Sequence, residues 1–258
     1  MRELLAQIRK LNAVLKKSAT NNIEFDELNK ELSEILSSNI YVSDIDGKIL
    51  SYITSDKFPC VINDTTLESR YFPKDFNDDL LKHEQTRTNL FTSDPMCAFG
   101  GDVCIYKNQY LMVIPIIVNN KRLGHFILSK YDESYNEDEL IVCEYASAIV
   151  LMELMRIEEQ KFREKAKFQA DVKMAYASLS YSEQEAMEFV LDELDSSEGL
   201  IIASTLADKA KITKSVISNS LRKFESAGVI RTRSLGMKGT YIKIINPYLM
   251  SERKKINI

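Results

Sequence analysis

The chain has 258 residues, 45% hydrophobic and 28% charged, with a net charge of −4, which is enough for two ordinary domains with their own cores. No apolar run approaches the roughly 20 residues that cross a bilayer, and the start MRELLAQIRKLNAVLKK lacks a signal peptide's apolar core and cleavage site, so a cytoplasmic protein is expected. Cys60, Cys97, Cys104 and Cys143 show no C-x-x-C spacing and His83 lies far from His125, which suggests neither a disulfide frame nor a zinc site.

Met1 to Lys17 sets Leu4, Leu5, Ile8, Leu11 and Leu15 on one helical stripe, and after a polar break a second helix carries Phe25, Leu28, Leu32, Ile35 and Leu36. Such stripes need a partner surface, and core or dimer contacts are expected here in preference to a membrane face. Asn39–Val42 and Lys48–Ile53 are β-rich runs around Asp46-Gly47, a hairpin signal. From Thr54 to Gly101 no clear period appears beyond a helix expected at Asp75–Lys82; a stretch this long within a compact domain is where binding loops are expected. Tyr110–Val118 and Arg122–Ser129 are two further strands joined by Asn119-Asn120-Lys121. Strands with flanking helices and an elaborated loop make a GAF or PAS-like sensor, a fold that does not name its ligand. Within the loop, Phe72, Pro73, Phe76, Cys97, Ala98 and Phe99 either wall a small pocket for an aliphatic side chain or fill the core.

A helical pattern runs from about Glu137 to about Leu179. Its first half is apolar enough to cover a sheet. Its charge-rich second half, EEQKFREKAKFQADVK, is expected to be mostly solvated, bridging domains or pairing with a second copy. Tyr181 to Leu194, capped by Ser180 or Ser182, then opens a C-terminal domain.

Ala203–Ala210 reads as a short helix with Ser204 near its start and Leu206, Ala207 and Ala210 at packing positions. Lys211 and Ile212 make a tight turn, and Thr213 is placed to cap a second helix, Lys214 to Ser226. Val216, Ile217, Leu221 and Phe224 face inward there, while Lys214, Ser215, Ser218, Asn219 and Arg222 face water. A helix-turn-helix reads base edges with such short polar groups at the start of its second helix. Gly228 ends that helix. Val229–Ser234 and Thr240–Ile244 then form a hairpin, with Gly236 and Gly239 supplying positive φ, and its tip Lys238 with Arg231 and Arg233 would meet the sugar-phosphate backbone. Between Ala203 and Ile258 twelve lysines and arginines stand against three acids, a surplus of nine, which leaves −13 on the first 202 residues. A basic end on an acidic body is the footprint of phosphate binding confined to one domain.

The run ASTLADKAKITKSVISNSLRKFESAGVIRTRSLGMKGTYIKI closely resembles the DNA-binding segment of the CodY family, nutrient-sensing global transcriptional repressors of low-GC Gram-positive bacteria, with SLGMKGTYIK a specific match. The resemblance extends more weakly to the N-terminus. It implies a GAF-type domain that binds branched-chain amino acids, isoleucine favoured, GTP responsiveness, and homodimers acting on AT-rich double-stranded DNA. It also implies DNA-binding roles at Ala207, Lys214 and Ser215, and pocket phenylalanines at Phe72 and Phe99. Two departures stand out. The family's carboxylate-holding arginine aligns with Ile62, leaving Arg70 as the nearest replacement in sequence or backbone N–H groups in its stead, and the family's Phe-Pro-Val reads Phe99-Gly100-Gly101. No G-x-x-x-x-G-K-[ST] loop occurs in the chain, so a GTP site would not be a P-loop.

The expected architecture is therefore α+β: a GAF-like effector-binding domain (1–155), a long linker helix (137–179) and a winged helix-turn-helix domain (180–258). No nucleophile–base pair, metal cluster or carboxylate dyad suggests an enzyme, and no resident cofactor is expected. The candidate DNA-binding residues are Ser204, Ala207, Thr213, Lys214, Ser215, Ser218, Asn219, Arg222, Arg231, Arg233 and Lys238, and the candidate effector-binding residues are Arg70, Phe72, Pro73, Cys97 and Phe99.

Overall fold

The computed structural model describes residues 2–18, 25–54, 68–92, 108–194 and 196–256. They fall into two compact units, Met1–Glu158 and Glu159–Ile258.

The first unit opens with helices α1 (Arg2–Ser18) and α2 (Phe25–Leu36), followed by strands β1 (Asn39–Asp44) and β2 (Ile49–Ile53). Helix α3 (Lys74–Leu80) precedes strands β3 (Arg87–Thr92), β4 (Gln109–Val118) and β5 (Lys121–Tyr131). The five strands form one antiparallel sheet in the order β2-β1-β5-β4-β3. Alternation along the strands gives two buried faces. On one face Ile40, Val42, Met112, Ile114, Phe126 and Leu128 pack with Leu11, Leu28, Leu32, Val142, Ala146 and Val150; the last three belong to helix α4 (Glu137–Ala177). The other carries Tyr41, Ile49, Val113 and Ile127 with Phe72 and Leu80.

Local chemistry sets the connections. Gly47 takes a φ of 78°, as an Asp-Gly turn requires, and Asn119 and Asn120 take φ of 49° and 60° in the two-residue link between β4 and β5. Strands β1 and β5 approach so closely that a Cβ on Gly124 would lie 2.0 Å from the Ser43 carbonyl oxygen. Helix α3 is held at its C-terminal end by Arg122, whose Nη1 donates to the Leu80 carbonyl at 3.2 Å and Nη2 to that of His83 at 2.6 Å. The Leu80 carbonyl also accepts from the His83 N–H at 3.2 Å, and a cation at this end of a helix is favourable.

Strand β3 corrects the expectation of an irregular stretch from Thr54 to Gly101. It is an edge strand whose pairing with β4 shifts between Arg87 and Leu90, and Asn89 has a φ of 53°. The irregularity hid the alternation that would have marked it.

The second unit includes the end of α4, then α5 (Tyr181–Asp192), β6 (Glu198–Ile201), α6 (Ala203–Ala210), α7 (Lys214–Ser226), β7 (Ile230–Ser234), a 3-10 turn (Gly236–Lys238), β8 (Thr240–Ile244) and α8 (Leu249–Ile256). The three strands form an antiparallel sheet in the order β6-β8-β7. Of the two candidate caps for α5, Ser180 is the one used: it accepts from the Glu183 N–H while Glu183 accepts from the Ser180 N–H, a reciprocal capping box. Strand β6 and helix α8 were not foreseen. EGLI is four residues with a glycine, and LMSERKKI is short and mostly charged, so neither shows a clear period.

The charge-rich stretch of α4 is mostly exposed, as expected, but its end is not. Val172, Ala175 and Tyr176, with Leu179 just beyond, belong to the core formed by Met187, Val190, Leu206, Ile217, Phe224 and Ile242. The Tyr176 and Phe224 rings meet edge-on at 5.1 Å, and Asn246 Nδ2 donates to the Phe168 carbonyl at 2.7 Å. The charged residues between hid the stripe at 172, 175, 176 and 179.

Candidate nucleic-acid interface and sensor face

Helices α6 and α7 are joined by Lys211, whose left-handed φ of 55° turns the chain in the space of three residues. Leu206 and Ala207 pack with Ile217, Leu221 and Phe224, which fixes one side of α7 to the core. The opposite side is exposed: Thr213, Lys214, Ser215, Ser218, Asn219 and Arg222 all face solvent. Arg222 Nη2 donates to Asn219 Oδ1 at 3.1 Å, so the two polar groups are oriented together before any duplex arrives.

Thr213 occupies the cap position of α7 with an extended backbone, but its side chain makes no capping bond. Its hydroxyl pairs instead with that of Ser215 at 2.8 Å, leaving the first N–H groups of α7 without a side-chain cap from it. Helix N-termini of this kind attract phosphate oxygens. Ser204 is half-buried, and Ala207, at 4% exposure, is a packing residue. Whatever position 207 contributes to DNA binding passes through the seating of α7.

The wing follows. Strands β7 and β8 pair from Ile230–Ile244 to Ser234–Thr240, and the turn between them is closed by Leu235 N–H donating to the Gly239 carbonyl at 2.8 Å. Gly236 and Gly239 have φ of 62° and 111°. At the tip Met237 is fully exposed, beside exposed Leu235 and Lys238. Glu225, near the end of α7, accepts from the Thr232 N–H at 2.7 Å and from its hydroxyl at 2.8 Å, tying the wing to the helix.

Ion pairing sorts the basic surplus. Lys209 pairs with Glu193, Lys223 with Glu183, Lys243 with Glu198, Arg253 with Glu188 and Asp192, and Lys255 with Glu252. The hydrogen bond from Lys223, and next the Ser180 N–H, hold the Glu183 carboxyl below its ordinary range. Between Ala203 and Ile256 the cations outside such pairs are Lys211, Lys214, Arg222, Arg231, Arg233, Lys238 and Lys254. Six of these seven lie on the turn before α7, on α7 itself and on the wing. A positive field concentrated on those elements is what a polyanion would meet.

In the first unit Phe72 is buried against Tyr41 and Phe76, with ring centroids at 5.9 and 5.1 Å. Pro73 is the N-cap of α3, immediately before its first residue. Arg70 is exposed with a φ of 59°, and its guanidinium lies 5.3 Å from the centroid of the Tyr52 ring, which packs on the same cluster as Phe72. Cys97, Phe99, Ala98 and Ile62 fall outside the described residues. On the same sheet face His125 is completely buried; desolvation first, then the neighbouring Arg122 and His83 charges, push its pKa down to about 4. Arg122 Nη1 lies 3.0 Å from His125 Nε2. A guanidinium can only donate, so Nε2 accepts and Nδ1 carries the proton beside Ser43 Oγ, 3.5 Å away. Among the described residues no three His, Cys, Asp or Glu side chains gather to hold a metal ion, and no helix is long and apolar enough to cross a membrane.

A GAF-like fold preceding, in the chain, a winged helix-turn-helix whose unpaired cations gather on the recognition helix and wing defines a DNA-binding transcription regulator. Residues 3–178 match the CodY GAF-like domain and residues 197–257 the CodY helix-turn-helix domain. The chain belongs to the CodY family. It is 44% identical over 258 residues to the global transcriptional regulator CodY of Clostridium perfringens strain 13, covering 99% of this chain and 100% of that one. The protein of that name from Clostridium tetani, strain Massachusetts / E88, is also 44% identical, over 257 residues, with the same coverage. The solved cofactor-binding GAF domain of the nutrient sensor CodY from Clostridium difficile is 29% identical, with a TM-score of 0.43, and the match covers 59% of this chain and 97% of that domain. Relatives named as transcriptional regulators place the chain outside the enzymes.

Proposed function

We propose that this regulator is mainly a repressor whose operator affinity is raised by a branched-chain amino acid, isoleucine favoured, with GTP as a second effector at residues left unassigned. The reading is that it acts in the cytoplasm as a homodimer on AT-rich operators. The observation that carries the DNA side is the concentration of unpaired cations on α7 and the wing, with Lys214, Ser215, Ser218, Asn219 and Arg222 for base edges and Arg231, Arg233 and Lys238 for phosphates. The sensor side is supported by an aromatic cluster around Phe72 with Arg70 at its rim, an aliphatic-side-chain site with a guanidinium for a carboxylate. Pairing of copies is supported by α4, where Ile141, Met155 and Phe162 recur at multiples of seven residues and are exposed, with Met152 beside them.

Coupling requires that the amino acid bind one arrangement of the dimer more tightly than another. The test is fluorescence-polarisation titration of an AT-rich promoter duplex with and without isoleucine. Affinity raised at least fivefold by isoleucine is expected, the lower end of typical coupling. Equal affinity in both titrations removes the effector from the account.

A further inference from the structure

Met237 is the most exposed large apolar side chain among the described residues, fully in solvent, with Tyr181 next at 84%. It stands at the tip of the β7–β8 hairpin between half-exposed Leu235 and exposed Lys238. Three backbone hydrogen bonds hold the tip in one shape: Leu235 N–H donates to the Gly239 carbonyl at 2.8 Å, Lys238 N–H to that of Leu235 at 3.3 Å, and Gly239 N–H to that of Gly236 at 3.2 Å. The tip is also slim. Gly236 and Gly239 flank the Met237-Lys238 pair without side chains of their own, and a Cβ on Gly236 would meet nothing within 4 Å. From the 3-10 turn itself only a thioether and an ammonium project.

A thioether left wholly in water adds nothing to the core of its own domain, so its chemistry points outward. Arg231, Arg233 and Lys238 around it suit phosphates, but a phosphate oxygen offers a thioether no favourable contact. The apolar surfaces of a duplex are the sugar walls of the minor groove and the faces of base pairs, the latter reached by parting a step. The minor groove is about 6 Å wide, which excludes a helix and suits a glycine-flanked tip. Glu225 ties this wing to α7, so with α7 in the major groove the tip meets the groove beside it. We propose that Met237 is an apolar wedge that enters the minor groove and parts the stack between two base pairs, while Lys238 takes a flanking phosphate. The proposal rests on the assignment of α7 and the wing to DNA and goes beyond the phosphate contacts given to the wing above. Pyrimidine–purine steps such as TA unstack most readily, so the wedge selects for them without a hydrogen bond to any base edge.

The experiment is fluorescence-polarisation titration of AT-rich promoter duplexes, at several salt concentrations, with the full chain and its Met237→Ala, Met237→Leu and Lys238→Ala variants. A parallel set of duplexes carries 2-aminopurine in place of one adenine at a time at TA steps, a base that brightens when its neighbours cease to stack on it. The full chain should brighten the probe at particular steps. Met237→Ala should abolish the brightening and lower affinity roughly tenfold, as for one large apolar side chain left unburied. Its salt slope should be unchanged, because no phosphate contact is lost, and its thermal midpoint should match that of the unsubstituted chain. Met237→Leu should keep both affinity and brightening. Lys238→Ala should do the converse of Met237→Ala, keeping the brightening while its slope of log affinity against log salt becomes shallower by about 0.9. A Met237→Ala variant that binds and brightens like the unsubstituted chain overturns the proposal, and so does a Met237→Leu variant that behaves like alanine. Tight binding by the full chain with every probe dark overturns the wedge while leaving the DNA assignment intact. A full chain that binds no duplex removes that assignment, and the wedge with it.

Discussion

Lys214 and Ser215 stand at the start of α7 with both side chains exposed, so replacing both with alanine should leave the thermal midpoint within about a degree or two. Each base-edge contact is worth about 1–3 kcal/mol of discrimination, so the double variant should lose tenfold or more in operator affinity in a polarisation titration. Affinity equal to the unsubstituted chain would remove α7 as the reading element. His125 gives a second residue-level expectation. Its folded pKa of about 4 lies below the ordinary 6.5, so as pH falls the unfolded chain takes the proton first. The stabilisation is whole above pH 6.5 and is lost between 6.5 and 4, by up to about 3 kcal/mol at 1.36 per pKa unit. Thermal melts from pH 7 to pH 4.5 should show a steeper fall for the native chain than for His125→Gln. Equal slopes would mean that the imidazole is charged or accessible in the fold. The exposed row on α7 was legible because helical periodicity sorts apolar from polar positions. The behaviour of Thr213 was not, because a second hydroxyl two residues on competes for it and spacing carries no sign of which wins.

Among elements, the wing depends on Gly239. Its φ of 111° is a region side chains rarely enter, and a Cβ there would lie 2.3 Å from the Ile201 carbonyl oxygen on β6. Gly239→Ala should therefore cost more than the roughly 1–3 kcal/mol of backbone strain alone, lower the second unit's midpoint and weaken duplex binding. A variant that melts and binds like the native chain would mean that the turn adapts. Gly236 has a φ of 62° but open space around its Cα, so alanine there meets backbone strain alone. The glycines announced this hairpin in the sequence. Strand β6, which makes the close approach to Gly239 matter, did not announce itself: a four-residue strand with an interior glycine acquires its conformation from pairing with β8. The same holds for β3, an edge strand interrupted by a left-handed asparagine. Long periodic elements such as α4 and β4 could be read locally.

For the molecule as a whole, the second compact unit begins at Glu159 and so includes the end of α4. Val172, Ala175, Tyr176 and Leu179 are buried in its core. Burying a large apolar side chain contributes about 1.5–3 kcal/mol, so losing these residues removes an appreciable share of the roughly 5–15 kcal/mol that holds a domain folded. A fragment of residues 159–258 should melt cooperatively by circular dichroism and bind duplex DNA, while residues 180–258 should melt at least ten degrees lower or not cooperatively. Matching melts would show the helix end to be dispensable. The six cations of the α7 turn, α7 and the wing that stand clear of carboxylates have a physiological consequence. A duplex that docks on them sheds condensed potassium from its backbone, with a slope of about −0.9 in log affinity against log salt for each phosphate neutralised. With all six engaged, a fourfold rise in potassium loosens the grip by roughly a thousandfold, so osmotic state is expected to act on the operator affinity of this regulator.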